Sequence, residues 1–170
     1  MKLLTTLAIL FFSFTAFAQK DIPASEAFEV TGKVKKAMTF RLQDFRGYEA
    51  KNIGKVTITN HLGVKKGTMK QLKGILITDL LSKVELAEEN PKLLSEFYFV
   101  FEATDGYKVV FSWNELFNSE IGKQVYFITE KEGKPIESLE DRIAIVAPKD
   151  VQTGRRFVKG LKQIRVERVE

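Results

Sequence analysis

The fold is decided by the last third of the chain, residues 132–169, whose centre reads Arg142-Ile-Ala-Ile-Val-Ala-Pro-Lys-Asp-Val-Gln-Thr-Gly-Arg-Arg-Phe-Val-Lys159. The apolar run at 143–147 predicts a short buried strand, which ends at Pro148. A closing strand is predicted over 161–169. The loop between them holds a glycine and several cations, and backbone N–H groups and positive side chains can converge there on an anionic group. Its candidate residues are Thr153, Gly154, Arg155, Arg156 and Lys159.

The N-terminus has the pattern of a signal peptide over residues 1–18. Lys2 precedes an apolar run at 3–14, and Ala16-Phe-Ala18 is a small-x-small cleavage site. Cleavage before Gln19 would leave residues 19–170 as a single domain without a transmembrane segment. We therefore expect an exported protein, located in the periplasm or secreted.

Composition excludes several function classes. The 170-residue chain has no cysteine, which rules out disulfides, thiolate metal sites and a cysteine nucleophile. Its 27 basic and 22 acidic residues give a net charge of +5, with the two signs mixed along the chain. This mixture argues against nucleic-acid binding. Because His61 is the only histidine, a metal cluster of imidazoles is also excluded.

The rest of the chain predicts an α+β fold with mixed, mainly β sheets and short helices. Hydrophobic patterns predict strands at 27–34, 55–60, 97–103, 107–111 and 124–130. Helical segments are expected at 42–48, 72–84, 92–95 and 113–118, and a loop is expected after residue 60.

Three local motifs set element boundaries. Asn90-Pro91 is a helix start, with asparagine as the cap and proline at the first helical position. Asp105-Gly106 predicts a hairpin with a type I′ turn. Ser112-Trp-Asn-Glu115 has the pattern of a capping box.

With these elements in place, the sequence resembles the molybdopterin-binding domain of the sulfite oxidase family, from about residue 28 to residue 166. The segments that carry the resemblance are Phe28-Glu-Val-Thr-Gly32, Leu72-Lys-Gly-Ile-Leu-Ile-Thr-Asp-Leu-Leu81, Ala103-Thr-Asp-Gly-Tyr107 with Phe111-Ser112, Gly133-Lys-Pro-Ile136, Arg142-Ile-Ala-Ile-Val-Ala-Pro148 and Gly154-Arg-Arg-Phe-Val-Lys159. The resemblance implies a sulfite oxidase-like molybdopterin-binding fold and makes molybdopterin the candidate cofactor.

The resemblance also implies which residues would bind that cofactor. In the family, the loop similar to residues 154–159 holds the pterin and its phosphate, so Arg156 and Lys159 are the expected phosphate contacts, with Arg155 and Gly154 beside them. The family's molybdenum ligand is a cysteine after the strand similar to 56–59, where this chain has Asn60 or His61. Neither residue replaces a soft thiolate.

The signal pattern is a second departure from the family. Exported enzymes of the family carry their cofactor through a twin-arginine route, whereas Lys2 is the only cation before the apolar run. The expected function is thus an anion-binding or cofactor-binding accessory module without thiolate-ligated molybdenum. Its partner would be an anionic small molecule, a pterin or an envelope protein. The alternatives are a molybdopterin-dependent oxidoreductase and a partner-docking domain without a small ligand.

Overall fold

The structure is a computed structural model that describes residues 22–170. The predicted signal peptide at 1–18 lies outside the described residues. The strands are β1 Ala27–Gly32, β2 Met38–Arg41, β3 Lys51–Thr59, β4 Lys65–Leu76, β5 Phe97–Ala103, β6 Lys108–Ser112, β7 Tyr126–Lys131, β8 Lys134–Pro135, β9 Ile145–Val146 and β10 Leu161–Arg168. The α-helices are α1 Ile77–Leu81 and α2 Trp113–Phe117, and 3-10 helices span Leu42–Gly47, Pro91–Glu96, Gly122–Gln124, Ile136–Ser138 and Thr153–Arg156. This content confirms the predicted α+β class.

The first sheet has the order β2-β1-β10-β5-β6. The N-terminal strand β1 pairs in parallel with the C-terminal strand β10, and Val30 lies opposite Ile164. The remaining pairs are antiparallel. Strand β10 therefore lies in the middle of the sheet and joins the two hairpin halves.

The second sheet has the order β3-β4-β7-β8, and β9 pairs with β7. All of these pairs are antiparallel. Strands β3 and β4 form a long hairpin, in which β3 is an edge strand. The short strand β9 holds the apolar run of residues 143–147 against this sheet, and all five of those residues are buried.

The main core lies between the sheets and is rich in phenylalanine. Phe28 stacks on both Phe40 and Phe127, with ring centroids 5.2 and 5.3 Å apart. Phe45, from the 3-10 helix Leu42–Gly47, meets Phe127 edge-on at 5.3 Å. A smaller cluster around Val56, Met69 and Leu72 lies under the β3–β4 hairpin. Aromatic packing thus supplies the stability that the chain cannot obtain from disulfides.

The helix predicted over residues 72–84 is wrong outside α1, whereas the loop predicted after residue 60 is present at residues 60–64. Strand β4 runs to Leu76, and α1 covers only the next five residues. Two features of β4 interrupt the alternation of buried and exposed side chains that marks a strand in sequence. Gln71 has a φ of 50°, and the pairing with β3 shifts register three times. Gly74 packs so closely on β7 that a Cβ there would lie 2.4 Å from the Phe127 carbonyl oxygen. Pairing with β7 therefore overrides the apolar spacing that suggested a helix.

The hairpin at Asp105-Gly106 is confirmed, but its turn type is not the predicted one. A type I′ turn needs positive φ at both central residues. Only Gly106 has one, with φ of 86°, because the Asp105 carboxylate accepts a hydrogen bond from the Tyr107 N–H at 2.9 Å instead. The other two motifs are confirmed: Asn90 caps the helix that begins at Pro91, and Ser112 and Glu115 exchange the two bonds of a capping box.

Candidate functional site

The predicted anion loop forms the 3-10 turn Thr153–Arg156, which packs on the end of β3. The Thr153 hydroxyl donates to the Thr57 carbonyl oxygen at 2.6 Å and accepts from the Thr59 N–H at 3.0 Å. Thr153 is buried. The Thr153 hydroxyl therefore satisfies two backbone groups of the edge strand β3 that a neighbouring strand would otherwise satisfy. These two hydrogen bonds fix the position of the loop.

Gly154 makes the close approach between this turn and β3 possible. A Cβ at residue 154 would lie 2.2 Å from the Thr59 carbonyl oxygen, a distance that no real Cβ contact shows. The glycine is therefore required by packing within the chain. A ligand is not needed to explain it.

A cleft of about 450 Å³ opens between this turn, the end of β3 and the β5–β6 turn. The Tyr107 hydroxyl bridges two of its walls by donating to the Arg155 carbonyl oxygen at 2.5 Å. The described residues that line it include cations and no carboxylate. They are Ile58, Thr59, Asn60, His61, Lys66, Tyr107, Gly154, Arg155 and Phe157.

Lys66 and Arg155 give the cleft its positive charge. Neither forms an ion pair with any residue in the range 22–170. Arg155 has one neutral partner, since its Nε donates to Gln152 Oε1 at 3.2 Å. Both side chains can therefore neutralise an anion without first giving up a carboxylate.

Asn60 lies at the edge of the cleft but is occupied by the turn between β3 and β4. Its Oδ1 accepts from the N–H groups of Leu62 and Val64, both at 3.0 Å. The oxygen therefore closes the turn, and His61 beside it is exposed. No cluster of three or more His, Cys, Asp or Glu side chains in the described part of the chain could hold a metal ion.

Arg156 lies outside the cleft and is held by two carboxylates. Its Nε and Nη2 donate to the two oxygens of Asp150 at 2.8 and 2.6 Å, and its Nη1 donates to Glu115 Oε1 at 2.8 Å. The guanidinium carbon lies 4.2 Å from the ring centre of Phe111. The hydrogen bonds that Arg156 donates to Asp150, and then the one it donates to Glu115, raise the pKa of Arg156 above its ordinary value despite burial.

Glu115 is the more exposed carboxylate partner of Arg156. Burial alone would raise its pKa, but the Ser112 N–H and the Arg156 guanidinium outweigh burial, so the pKa of Glu115 lies below its usual range. Both groups are consequently charged at neutral pH. The positive charge of Arg156 is thus already neutralised within the chain by Asp150 and Glu115.

Lys159 faces a different depression, lined also by Lys131, Lys134 and Arg142. Its Nζ is 3.3 Å from Asp141 Oδ2 and 5.6 Å from the ring centre of Phe157. The structure therefore brings Asn60, Gly154 and Arg155 together at the cleft and separates Arg156 and Lys159 from it. That these five residues bind a cofactor stays a prediction.

Sequence reasoning missed two cleft residues and one anchor. The sequence singles out neither Lys66 nor Tyr107 as a site residue, because each reaches the cleft from an element distant in sequence from residues 153–156. Asp150 was not singled out, since nothing in the sequence pairs it with Arg156. Glu115 is noticeable in the sequence through its place in the capping box, but that pattern indicates a helix start and not a contact with Arg156.

Comparison with known proteins supports the fold and leaves the family open. No family model matches the chain, and no curated protein matches it. Among solved structures, it is similar to the sulfane dehydrogenase SoxCD from Paracoccus pantotrophus, with a TM-score of 0.63 and 14% identity. The chain has a sulfite oxidase-like fold. The match covers 88% of this chain but 41% of the SoxCD chain, so this protein spans less than half of that one.

The residues that line the cleft fit the phosphate of molybdopterin but not its metal. Lys66 and Arg155 suit a phosphate group, because both are cations without a carboxylate partner among the described residues. A thiolate-ligated metal does not fit, since the chain has no cysteine and Asn60 is engaged in its turn. No helix described between residues 22 and 170 has the length and apolar character to span a membrane.

Proposed function

We propose that this protein is an exported module that binds a small anionic ligand, a pterin phosphate or a simpler phosphate, in the cleft between β3 and the turn Thr153–Arg156. The observation that carries the proposal is the pair Lys66 and Arg155, which line a cleft of about 450 Å³ without a carboxylate among the described lining residues. The sulfite oxidase-like fold supports this location, because the resemblance implies a cofactor phosphate at the same loop.

Isothermal titration of the purified protein with inorganic pyrophosphate tests the proposal. The variant Lys66→Gln/Arg155→Gln should bind pyrophosphate at least about tenfold more weakly. Each hydrogen bond between a charged side chain and the phosphate contributes about 1.5–3 kcal/mol to the binding free energy. The matched control is Lys55→Gln/Lys92→Gln, which removes the same charge from exposed positions outside the cleft. An equal loss in both variants, or no binding by the native protein, would contradict the proposal.

A molybdopterin-dependent oxidoreductase is the second candidate, favoured by the similarity of fold to a sulfane dehydrogenase. Elemental analysis for molybdenum and pterin fluorescence on protein purified from its native compartment separate the two candidates. We expect molybdenum to be absent, because the chain offers no thiolate to ligate it. Stoichiometric molybdenum would favour the oxidoreductase.

Export is tested separately by N-terminal sequencing of that same preparation. A chain that begins at Gln19 supports cleavage of residues 1–18. A chain that retains Met1 would contradict the export part of the proposal and leave the cleft unaffected.

A further inference from the structure

The hairpin formed by β3 and β4 has a charge distribution unlike that of the rest of the chain. Between Glu49 and Asp79 there is no acidic residue. The charged side chains in that interval are Lys51, Lys55, Lys65, Lys66, Lys70 and Lys73. Only Lys73 forms an ion pair with another described residue, Glu130 at 2.9 Å. The hairpin therefore presents a positive surface that the protein itself does not neutralise.

The tip of this hairpin also exposes two large apolar side chains. Leu62 is 71% exposed and Val64 is 53% exposed. The Asn60 side chain holds the turn by accepting from both of their N–H groups, and Gly63 between them has a φ of 78°. The tip is thus a fixed turn that directs two apolar side chains into solvent, with Lys65 and Lys66 immediately behind them.

We propose that the tip of the β3–β4 hairpin docks onto a membrane surface that contains anionic lipid. Leu62 and Val64 would enter the boundary between headgroups and acyl chains, and Lys65 and Lys66 would contact lipid phosphates. Surface-bound segments combine apolar side chains with basic residues in this way, because burial and electrostatic attraction then act together. This inference does not rest on a ligand in the cleft, but the two surfaces share Lys66.

Two features favour lipid over an acidic protein or polymer. Exposed apolar side chains gain free energy only where they leave water, which a soluble polyanion does not offer. A protein partner that added a strand to β3 would need a regular edge. That edge is interrupted at Gly54, where the pairing with β4 shifts register, and it carries Lys51 and Lys55. Irregular edges with lysine side chains disfavour strand addition.

Co-sedimentation with vesicles tests the proposal. Native protein should bind vesicles of equal parts phosphatidylglycerol and phosphatidylcholine, should bind pure phosphatidylcholine far less, and should be released by salt. Lys65→Gln, which does not line the cleft, should weaken binding about fivefold, because a lysine near an anionic surface is worth about 1 kcal/mol. Leu62→Ser/Val64→Ser should lose binding by about tenfold or more, as two exposed apolar side chains are removed.

The matched control is Val110→Ser/Val169→Ser, which removes two valines that are 52% and 63% exposed elsewhere on the surface. It should bind as the native protein does. All variants are compared in the same chain background, with circular dichroism to verify folding.

Absence of binding to the anionic vesicles overturns the proposal. Binding that survives Leu62→Ser/Val64→Ser undiminished also overturns it, in favour of a general polyanion surface. Pyrophosphate titration of Leu62→Ser/Val64→Ser should be unchanged, which separates this surface from the cleft.

Discussion

Arg156 joins three segments of the chain, because its guanidinium contacts Asp150, Glu115 and the ring of Phe111 at once. A planar fork suits this arrangement better than an ammonium group, since two of its donors meet one carboxylate in parallel. The side chain is only 18% exposed. The cluster therefore fixes the loop after β9 against the start of α2, next to the turn that forms the cleft.

Replacing this side chain should cost stability. Arg156→Gln leaves Asp150 and Glu115 without their main donor, and we expect the free energy of unfolding in urea to fall by about 2–3 kcal/mol. Arg155→Gln is the matched control, since Arg155 has only a neutral side-chain partner in the described structure, and it should change stability by less than about 0.5 kcal/mol. If the two variants are equally stable, the cluster does not anchor the loop.

The same cluster predicts a pH dependence. Because the pKa of folded Glu115 lies below the ordinary value of 4.5, the folded state binds this proton less readily than the unfolded state does. Its stabilising contribution is thus complete above about pH 5 and is lost as the pH falls through the lowered folded pKa. The stability difference between native protein and Glu115→Gln should be largest near pH 7 and should shrink towards pH 3. Urea denaturation across this range measures it, and a constant difference would refute the assignment.

Gly154 is required where its turn packs on the end of β3. Gly154→Ala should destabilise the protein by about 1–3 kcal/mol, because its Cβ would overlap the Thr59 carbonyl oxygen and push the turn off β3. Gly67→Ala is the control, since a Cβ there meets no atom within 4 Å. The midpoints of thermal unfolding of the two variants measure this difference in stability. A stable Gly154→Ala protein would mean that the turn can move away from β3 without cost.

At the scale of elements, local sequence predicted those parts of the chain whose structure is set by neighbours in sequence. Asn90, Ser112 and Asp105-Gly106 act within a few residues of themselves, and each helix start or hairpin appears at the predicted place. Strand β4 was missed because its conformation depends on distant partners in β3 and β7, and its bulge at Gln71 breaks the alternation. The type I′ prediction was wrong for a local reason: the Tyr107 N–H donates to the Asp105 carboxylate, and only Gly106 of the two central residues has a positive φ.

The capping box of α2 can be tested directly. Ser112→Ala removes the acceptor for the Glu115 N–H, and it should lower the free energy of unfolding by about 1 kcal/mol. Ser95→Ala is the matched control, because Ser95 is exposed and its side chain makes no hydrogen bond within residues 22–170. Chemical denaturation measures both. An unchanged midpoint for Ser112→Ala would show that packing alone holds this five-residue helix.

At the scale of the whole molecule, the sequence predicted the class of fold and the loop that carries Gly154 and Arg155. It did not predict the cleft, because the cleft needs Lys66 from β4 and Tyr107 from the β5–β6 turn to meet that loop. Nor did it separate Arg156 from Lys159. The two residues are three positions apart, yet Arg156 pairs with Asp150 and Glu115 whereas Lys159 pairs with Asp141, and the sequence does not show which carboxylate lies beside which cation.

Strand β10 is the element on which the first sheet depends. Deletion of residues 161–170 should abolish cooperative unfolding, because β1 and β5 would each lose the strand that lies between them. Removal of Glu170 alone is the control, since that residue is exposed and follows the last strand. Near-UV circular dichroism during heating distinguishes the two. A sharp transition in the shortened chain would mean that the sheet can close without β10.

The parallel pairing of β1 with β10 also determines when the protein can fold. Strand β1 pairs with the nearby β2 on one side but finds its parallel partner only at residues 161–168, so central contacts of the first sheet span nearly the whole described chain, and contacts of such long range slow folding. The full first sheet can therefore form only after residues 161–168 have been synthesised. Until then, β1 and β5 lack the strand that lies between them, so the folded first sheet cannot hold the earlier residues in place while the chain is being made.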